Sequence, residues 1–244
     1  GAGLVLAEMT DVSRDGRISP GCAGMYEEKH VGAWKRLTDF VHRHTRAKIG
    51  LQLGHAGRKG ATQEPWFGPD VPLEEASWWP LIGASDIAWS PKHPPVRAMT
   101  RADMDATVHD YVRATEMAVA AGFDWLELHA AHGYLLATFL SPLTNQRTDE
   151  HGGPIDNRLR FPLEVFRAVR SAWPAERPMS VRISGSDWAD GGTSPADLVA
   201  TARAFAGAGA DVLDVSSAST VPHQKPAYGR VWQLPFADLV RSES

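Results

Sequence analysis

The chain has 244 residues, of which 43% are hydrophobic and 22% are charged, and its formal net charge is −4. This composition excludes an intrinsically disordered protein, and the negative balance argues against general binding to nucleic acids or membrane surfaces. The single cysteine, Cys22, excludes an intrachain disulfide and makes a reducing cytoplasm the expected compartment. No apolar run approaches the ~20 residues that a membrane-spanning helix needs.

The first half of the chain alternates between strand and helix patterns. Residues 4–7 are predicted to form a short apolar strand, and hydrophobic residues at helical spacing predict a helix over 25–46. The sequence KIGLQL predicts the next strand at 48–53. Residues 54–99 are rich in Pro, Gly and Trp and show little periodicity, which predicts a long loop. A loop of this length inside a compact domain is usually functional.

The second half of the chain repeats this alternation. Thr100 and Asp103 predict a capping box for a helix that ends at Gly122. The other predicted elements are strands at 123–128, 179–183 and 212–215, a helix ending near Trp173, a helix beginning around Ser194 and a final helix at 236–241. Five strands that alternate with helices imply an α/β fold with a parallel sheet.

Two parallel architectures fit this order, a (β/α)8 TIM barrel and a doubly wound sheet. No G-x-G-x-x-G follows the first strand, and no Walker loop is present. The barrel is therefore favoured, and residues 1–244 are predicted to form a single domain.

His129, His132 and Tyr134 follow closely on the strand predicted at 123–128, within the sequence LELHAAHGYLLATFLSP. In a parallel α/β barrel, the carboxyl ends of the strands face the active site. Two imidazoles and a phenol at that point suit the donation of hydrogen bonds, and of one proton, to a substrate oxygen. Taken alone, an H-x-x-H pair also fits two buried structural histidines or two metal ligands.

Three segments resemble the old yellow enzyme family of FMN-dependent oxidoreductases. They are HAAHGYLLATFLSPLTNQRTDEHGGPIDNRLRF, QLGHAGRK and VRIS, which occur in the family's order and together extend over most of the chain. EMTDVSRDGRISPG and the Trp-rich loop resemble more closely the reductase-like domain of bifunctional salicylyl-CoA 5-hydroxylases and 2-aminobenzoyl-CoA monooxygenase/reductases. In those proteins a separate flavin monooxygenase domain comes first, so the resemblance implies such a domain as a partner in the full-length protein.

The resemblance implies a TIM barrel that binds FMN across the C-terminal ends of its strands. NAD(P)H would reduce the flavin, and an activated alkene or a dearomatised aromatic or enoyl-CoA thioester would then accept hydride at the same site. By position, Gln52 would hydrogen-bond the flavin pyrimidine edge and Arg182 would lie near the flavin N1 and C2 oxygen. His129 and His132 would bind the substrate carbonyl oxygen, and Tyr134 would be the proton donor.

The chain departs from the family pattern at two points. Met9 and Thr10 stand beside the expected flavin, where many relatives have alanine or glycine. The resemblance also accounts only for strands two to six of eight, so we expect a barrel domain truncated at both ends. The missing strands include those that hold the FMN phosphate in the family. A homo-oligomer is compatible with this pattern, whereas no nucleic-acid, membrane or metal partner is predicted.

Several further residues have two open interpretations. His55 and Arg58 follow a strand end, where they would contact substrate or pack internally. The tryptophans of the long loop would line an aromatic entrance or pack within the loop; they are Trp66, Trp78, Trp79 and Trp89. A structural network is predicted for Asn145, Arg147, Asp149, Asn157 and Arg158.

Two other functions also remain open at this point. One is a metal-dependent barrel hydrolase that uses His129 and His132, although the chain has no H-E-x-x-H sequence. The other is a flavin-free structural or docking barrel fragment.

Overall fold

A computed structural model describes all residues from Gly1 to Ser244. The strands are β1 (Leu4–Asp11), β2 (Lys48–Gly54), β3 (Leu81–Gly83), β4 (Val96–Ala98), β5 (Trp125–Ala130), β6 (Met179–Ser184) and β7 (Val212–Ser216). The helices are α1 (Glu28–His44), α2 (Arg101–Ala121), α3 (Leu135–Leu140), α4 (Ile155–Arg158), α5 (Arg160–Ala172), α6 (Pro195–Gly207) and α7 (Leu234–Glu243).

The main sheet has five strands in the order β1-β2-β5-β6-β7, and every neighbouring pair is parallel. Its order follows the chain, because β3 and β4 form a separate two-stranded sheet. Consecutive parallel strands joined by helices are the repeating unit of a (β/α)8 barrel. The predicted barrel class and the five predicted strands are therefore confirmed, and the sheet is open between β1 and β7.

The helix boundaries follow the predicted capping signals. Thr100 accepts a hydrogen bond from the Asp103 backbone N–H and α2 ends at Gly122, whose φ of 85° is left-handed. Ser194 and Asp197 form the same capping box at the start of α6. These reciprocal bonds satisfy backbone groups that the first helical turn leaves unpaired.

The predicted strand at 123–128 begins two residues later in the structure. The backbone N–H of Phe123 still bonds the Ala118 carbonyl, so Phe123 belongs to the end of α2. The Asp124 carboxylate accepts the Ile49 backbone N–H at 3.0 Å and ties this turn to β2. The strand ends at Ala130, two residues beyond the predicted end, so His129 lies inside it.

Two other boundaries also differ from prediction. Strand β1 continues to Asp11, past the predicted end at residue 7. Helix α1 begins at Glu28 because Gly24 is still extended and bridges Asp11. The predicted loop at 54–99 contains β3 and β4, whose three-residue lengths are too short to produce a visible period.

The hydrophobic core lies between the main sheet and its covering helices. It comprises 34 buried residues, and every residue of the short helix α3 is buried. Because α3 begins directly after the turn that carries His132 and Tyr134, its burial anchors that turn against the core. No helix combines the length and hydropathy that a membrane crossing requires.

Candidate active site

The turn after β5 gathers the three predicted catalytic side chains. His129 is the penultimate residue of β5 and pairs in register with Arg182 of β6. His132 and Gly133 then adopt left-handed backbone conformations, with φ of 59° and 71°. This reversal brings the ring centroid of His129 within 4.9 Å of that of Tyr134 and within 5.1 Å of that of His132.

The segment after β7 packs directly on this turn. A Cβ atom at Gly133 would lie 2.9 Å from the Ser219 carbonyl oxygen, so the close approach requires glycine. The Lys59 ammonium donates to the Ser219 carbonyl at 3.1 Å and to the His132 carbonyl at 3.4 Å. It also lies 4.4 Å from the ring centroid of Trp89, which favours a cation. Lys59, which lies outside the strands of the main sheet, therefore holds the turn that carries His132.

The three clustered side chains are neutral hydrogen-bond donors at pH 7. Burial lowers the pKa of both imidazoles, that of His129 well below its usual range and that of His132 to about 4. His129 Nδ1 accepts the Ala131 backbone N–H at 3.2 Å, which leaves the ring proton on Nε2. His132 Nε2 lies 2.6 Å from Ser216 Oγ. Burial raises the pKa of the Tyr134 phenol, which keeps its proton.

A cleft of about 690 Å³ opens beside this cluster. Its wall includes Met9, Gln52, Tyr134 and Arg182, which come from β1, β2, the β5 turn and β6. The two predicted catalytic histidines are not on that wall, but the His129 ring packs edge-on against Tyr134. The structure thus brings the predicted catalytic and cofactor-binding side chains to one end of the sheet.

A buried carboxylate holds the Gln52 side chain. Glu127 is 2% exposed, and its Oε1 accepts the Gln52 Nε2–H at 2.7 Å. Its Oε2 accepts the Ser180 hydroxyl at 2.8 Å, and Ser180 Oγ in turn accepts the Trp125 indole N–H at 2.8 Å. Burial raises the pKa of Glu127, although both donors favour its charged form.

Arg182 has a different carboxylate partner. Its Nε lies 3.2 Å from Asp214 Oδ2, and its Nη2 lies 3.4 Å from Ser216 Oγ. Asp214 is therefore the carboxylate partner of Arg182, whereas Glu127 binds Gln52. Because the pair lies on the cleft wall, the guanidinium keeps a face toward the cavity.

Met9 and Thr10 separate in the structure. Met9 lies on the cleft wall, and its Cγ approaches Gly54 so closely that a Cβ there would be 2.7 Å away. Thr10 is completely buried and its hydroxyl donates to the Glu8 carbonyl at 3.0 Å. Thr10 does not line the cleft.

His55 and Arg58 brace loops instead of lining the cleft. The buried His55 ring accepts the Gly57 backbone N–H at 3.0 Å, and burial lowers its pKa to about 4. Arg58 donates to the carbonyl oxygens of Ile87, Ala88 and Thr220. Of their two open interpretations, the structure supports internal packing.

The predicted structural network of the loop after α3 is confirmed. Asn145 donates to the carbonyl oxygens of Phe139 and His151 at 2.8 Å, and Arg147 pairs with Asp149. The remaining anchors are the bonds of Asn157 to the Gly152 carbonyl and of Arg158 to Asp197. Through Asn145 and Arg158, which donate to the carbonyl oxygens of Phe139 and Leu140, this loop is bonded to the end of α3.

Of the four tryptophans of the long loop, Trp66 alone lies on the cleft wall. It is 78% exposed and its neighbour Phe67 is 64% exposed. Trp78 and Trp79 pack on a small second core, and Trp89 packs under Lys59. One of these tryptophans thus lines the cleft, and the other three pack within the protein.

Sequence reasoning missed the site roles of Glu127, Asp214 and Ser216. All three lie on strands, and each is two residues from another polar side chain of the same strand: Glu127 from His129, Asp214 from Ser216. Residues two apart in a strand share one face. The alternation of polar residues within otherwise apolar strands is the signal by which sequence reasoning could have found them.

No group of three or more His, Cys, Asp or Glu side chains is arranged to hold a metal ion. The two ring nitrogens His129 Nδ1 and His132 Nε2 already have partners in the backbone and in Ser216. The geometry therefore gives no support to the metal-dependent hydrolase that the sequence left open.

Solved structures share this fold. The chain superposes on 2-naphthoyl-CoA reductase in complex with 2-naphthoyl-CoA with a TM-score of 0.84, at 24% identity, over 98% of this chain and 37% of that one. At this identity the likeness concerns the fold alone. It superposes on morphinone reductase in complex with tetrahydroNAD with a TM-score of 0.79, at 27% identity, over 99% of this chain and 65% of that one.

Sequence comparison identifies the family. The chain is 40% identical over 242 residues to an NADPH dehydrogenase of Geobacillus sp. strain WCH70, covering 99% of this chain and 66% of that protein. It spans about two thirds of the length of the curated relatives it matches, from 62% to 66% in the first two. The sequence profile of the NADH:flavin oxidoreductase / NADH oxidase family matches residues 1–235. The chain therefore belongs to this family, the old yellow enzyme family predicted from its motifs.

Proposed function

We propose that the protein is an FMN-dependent NAD(P)H oxidoreductase of the ene-reductase type. The observation that carries the proposal is the convergence of five side chains at one end of a parallel sheet. Gln52, Arg182 and Tyr134 line one cleft, and the His129 ring packs against both Tyr134 and His132. Relatives named NADPH dehydrogenase and a morphinone reductase solved with tetrahydroNAD support the choice of a nicotinamide as the reductant.

The residues present fit a flavin ring. The pyrimidine edge of a flavin carries both acceptors and an N–H donor, and the Gln52 amide offers one group of each kind. The adjacent Arg182 guanidinium supplies the positive charge that an anionic reduced flavin needs. Met9 would contact the ring from β1. When bound, FMN would accept hydride from NAD(P)H and deliver it to the substrate.

The clustered donors suit a carbonyl substrate. Hydride addition to an enone or enoyl thioester builds negative charge on the carbonyl oxygen, and neutral His129 and His132 each carry one N–H for that oxygen. A donor of this kind is typically worth roughly 2.7–4 kcal/mol in the transition state. Tyr134 keeps its proton because burial raises its pKa, so it can protonate the substrate carbon.

The substrate class we propose is an aromatic or enoyl-CoA thioester. Support comes from the resemblance of residues 8–21 and the Trp-rich loop to the reductase-like domain of salicylyl-CoA 5-hydroxylase-type proteins. In that arrangement a flavin monooxygenase domain of the full-length protein would dearomatise the substrate, and this domain would complete the reduction in the cytoplasm. The exposed Trp66 on the cleft wall suits a planar substituent.

The experiment is a spectroscopic titration of the full-length protein. We expect the purified protein to show flavin absorption near ~450 nm. Anaerobic NADPH or NADH should bleach this band, and 2-cyclohexenone or an aromatic acyl-CoA thioester should restore it. A protein that binds no flavin would contradict the proposal and favour the flavin-free docking module. Reoxidation by cyclohexenone but by no thioester would contradict only the substrate class.

A further inference from the structure

Gln52 has rotational freedom that its proposed role does not tolerate. A terminal amide can rotate by 180°, which exchanges its donor and its acceptor at almost no change in shape. The flipped amide would place its N–H opposite the flavin N–H and its carbonyl opposite a flavin acceptor, so neither hydrogen bond could form. Some neighbouring group must therefore select one orientation before the flavin arrives.

Glu127 is placed to make that selection. It lies opposite Gln52 in the register of β2 and β5, and its Oε1 accepts the Gln52 Nε2–H at 2.7 Å. A carboxylate only accepts hydrogen bonds, so it binds the NH2 side of the amide and excludes the carbonyl side. The amide carbonyl and the second N–H remain free for the cleft.

Glu127 is itself held from behind. Its Oε2 accepts the Ser180 hydroxyl at 2.8 Å, and Ser180 Oγ is fixed by the Trp125 indole N–H at 2.8 Å. Trp125 thus donates to Ser180 and Ser180 donates to Glu127. Gln52 donates to the same carboxylate from the other neighbouring strand, so both donor paths end on Glu127. Glu127 is 2% exposed, so bulk water does not compete for either oxygen.

We propose that Glu127 is a positioning residue that fixes the orientation of the Gln52 amide and thereby preorganises the flavin-binding edge of the cleft. The proposal rests on the proposed function, because it assigns FMN to this cleft. Glu127 itself also lies on the cleft wall, and the double-mutant cycle below separates an effect through Gln52 from a direct contact with the flavin. Preorganised hydrogen-bonding groups raise affinity because binding no longer has to order them.

The test is a double-mutant cycle that measures the dissociation constant of FMN for the full-length apoprotein by flavin fluorescence. We expect Glu127→Ala to weaken binding about tenfold, but less than twofold when Gln52→Ala is already present, because contacting residues that act as a unit are not additive. Glu127→Gln, which loses the charge but keeps one amide oxygen, should weaken binding less than Glu127→Ala. Glu116→Gln is the matched control, since Glu116 is exposed on α2, away from the cleft wall, and its side chain forms no hydrogen bond.

Two results would overturn this proposal alone. One is an equal loss of affinity from Glu127→Ala with and without Gln52, which would indicate a role independent of the amide. Another is an equal loss in Glu127→Gln, Glu127→Ala and Glu116→Gln, which would indicate a general charge effect. If circular dichroism shows that Glu127→Ala does not fold, the same cycle with Glu127→Gln decides by the same criterion. Failure of the wild-type protein to bind FMN would instead refute the proposed function together with this inference.

Discussion

The two sides of the cleft are built in opposite ways. The floor, defined as the polar side chains of β2, β5, β6 and β7 beside the cleft, is mostly buried and internally hydrogen-bonded. The rim, defined as loop 61–73, exposes Trp66 and Phe67. Backbone bonds join Gln63 to Val71 and Leu73 to Ala61, and the Asp70 carboxylate lies 3.7 Å from the Lys59 ammonium. From this contrast we expect the floor to determine the chemistry and the rim to determine which substrates enter.

The largest effect should come from the floor. We expect His129→Ala in the full-length protein to slow flavin reoxidation by substrate by about 10²–10³-fold, because one donor to the developing oxyanion is lost. Flavin reduction should change far less. Stopped-flow measurement of the two half-reactions separates these outcomes, and equal slowing of both would contradict the role assigned to His129.

Tyr134→Phe should have the next largest effect, a loss of roughly 10²-fold in the same reoxidation step. Because burial raises the pKa of Tyr134, the wild-type rate should not fall through its ionisation anywhere between pH 7 and 10. A pH profile of reoxidation tests this directly. A rate that declines with an apparent pKa near 8 and becomes flat in Tyr134→Phe would show that the phenol is not held neutral.

Gly133→Ala tests the rigidity of the floor. Gly133 has a φ of 71°, which strains any residue with a side chain. The Cβ of alanine would also lie only 2.9 Å from the Ser219 carbonyl oxygen, which is a clash. We expect a loss of roughly 2 kcal/mol in the free energy of unfolding. Gly153→Ala is the matched control: its φ is 78° but no atom lies within 4 Å, so urea unfolding should show a loss of only about 1 kcal/mol. Equal losses would indicate that the segment after β7 yields easily.

Asp11, the last residue of β1, allows a test of a buried carboxyl through pH. It is completely buried with neither carboxylate oxygen hydrogen-bonded, and burial raises its pKa to about 9. A carboxyl whose pKa is higher in the folded state stabilises that state below its unfolded pKa, and this contribution is lost as the pH rises from about 4 to 9. We expect Asp11→Asn to remove this loss.

The measurement is the free energy of unfolding of both proteins at pH 5 and at pH 8. Relative to wild type, Asp11→Asn should gain at least about 1 kcal/mol between these two values. An unchanged difference would show that Asp11 is already charged in the folded protein at pH 5.

The smallest effect on stability should come from the rim. Trp66→Ala removes a side chain that is 78% exposed, so the free energy of unfolding should change by less than about 0.5 kcal/mol. If the rim selects substrates, the KM for an aromatic acyl-CoA thioester should rise while that for 2-cyclohexenone stays the same. An equal rise in KM for both substrates would contradict the proposal that the rim selects substrates.

Local signals made most of the fold predictable. Periodicity identified the five strands, and Thr100 and Ser194 marked helix starts because capping depends on residues only three positions apart. The same holds for His129, His132 and Tyr134, which one short segment brings together. Met9, Gln52 and Arg182 required the family resemblance, because the cleft they share depends on the packing of three strands.

The remaining features depend on contacts between distant segments. Gln52 and Glu127 are 75 residues apart, and no local pattern indicates that Glu127 binds Gln52 while Asp214 binds Arg182. Strands β3 and β4 were missed since three-residue strands show no period. Thr10 and Met9 are neighbours, yet strand alternation buries one and turns the other toward the cleft.

The most direct test of the central claim is a crystal structure of the full-length protein with FMN. We predict that the flavin pyrimidine edge lies within hydrogen-bond distance of the Gln52 amide, with Arg182 beside N1, and that His129, His132 and Tyr134 face the ring from the end of β5. A flavin bound away from these five side chains would contradict the account.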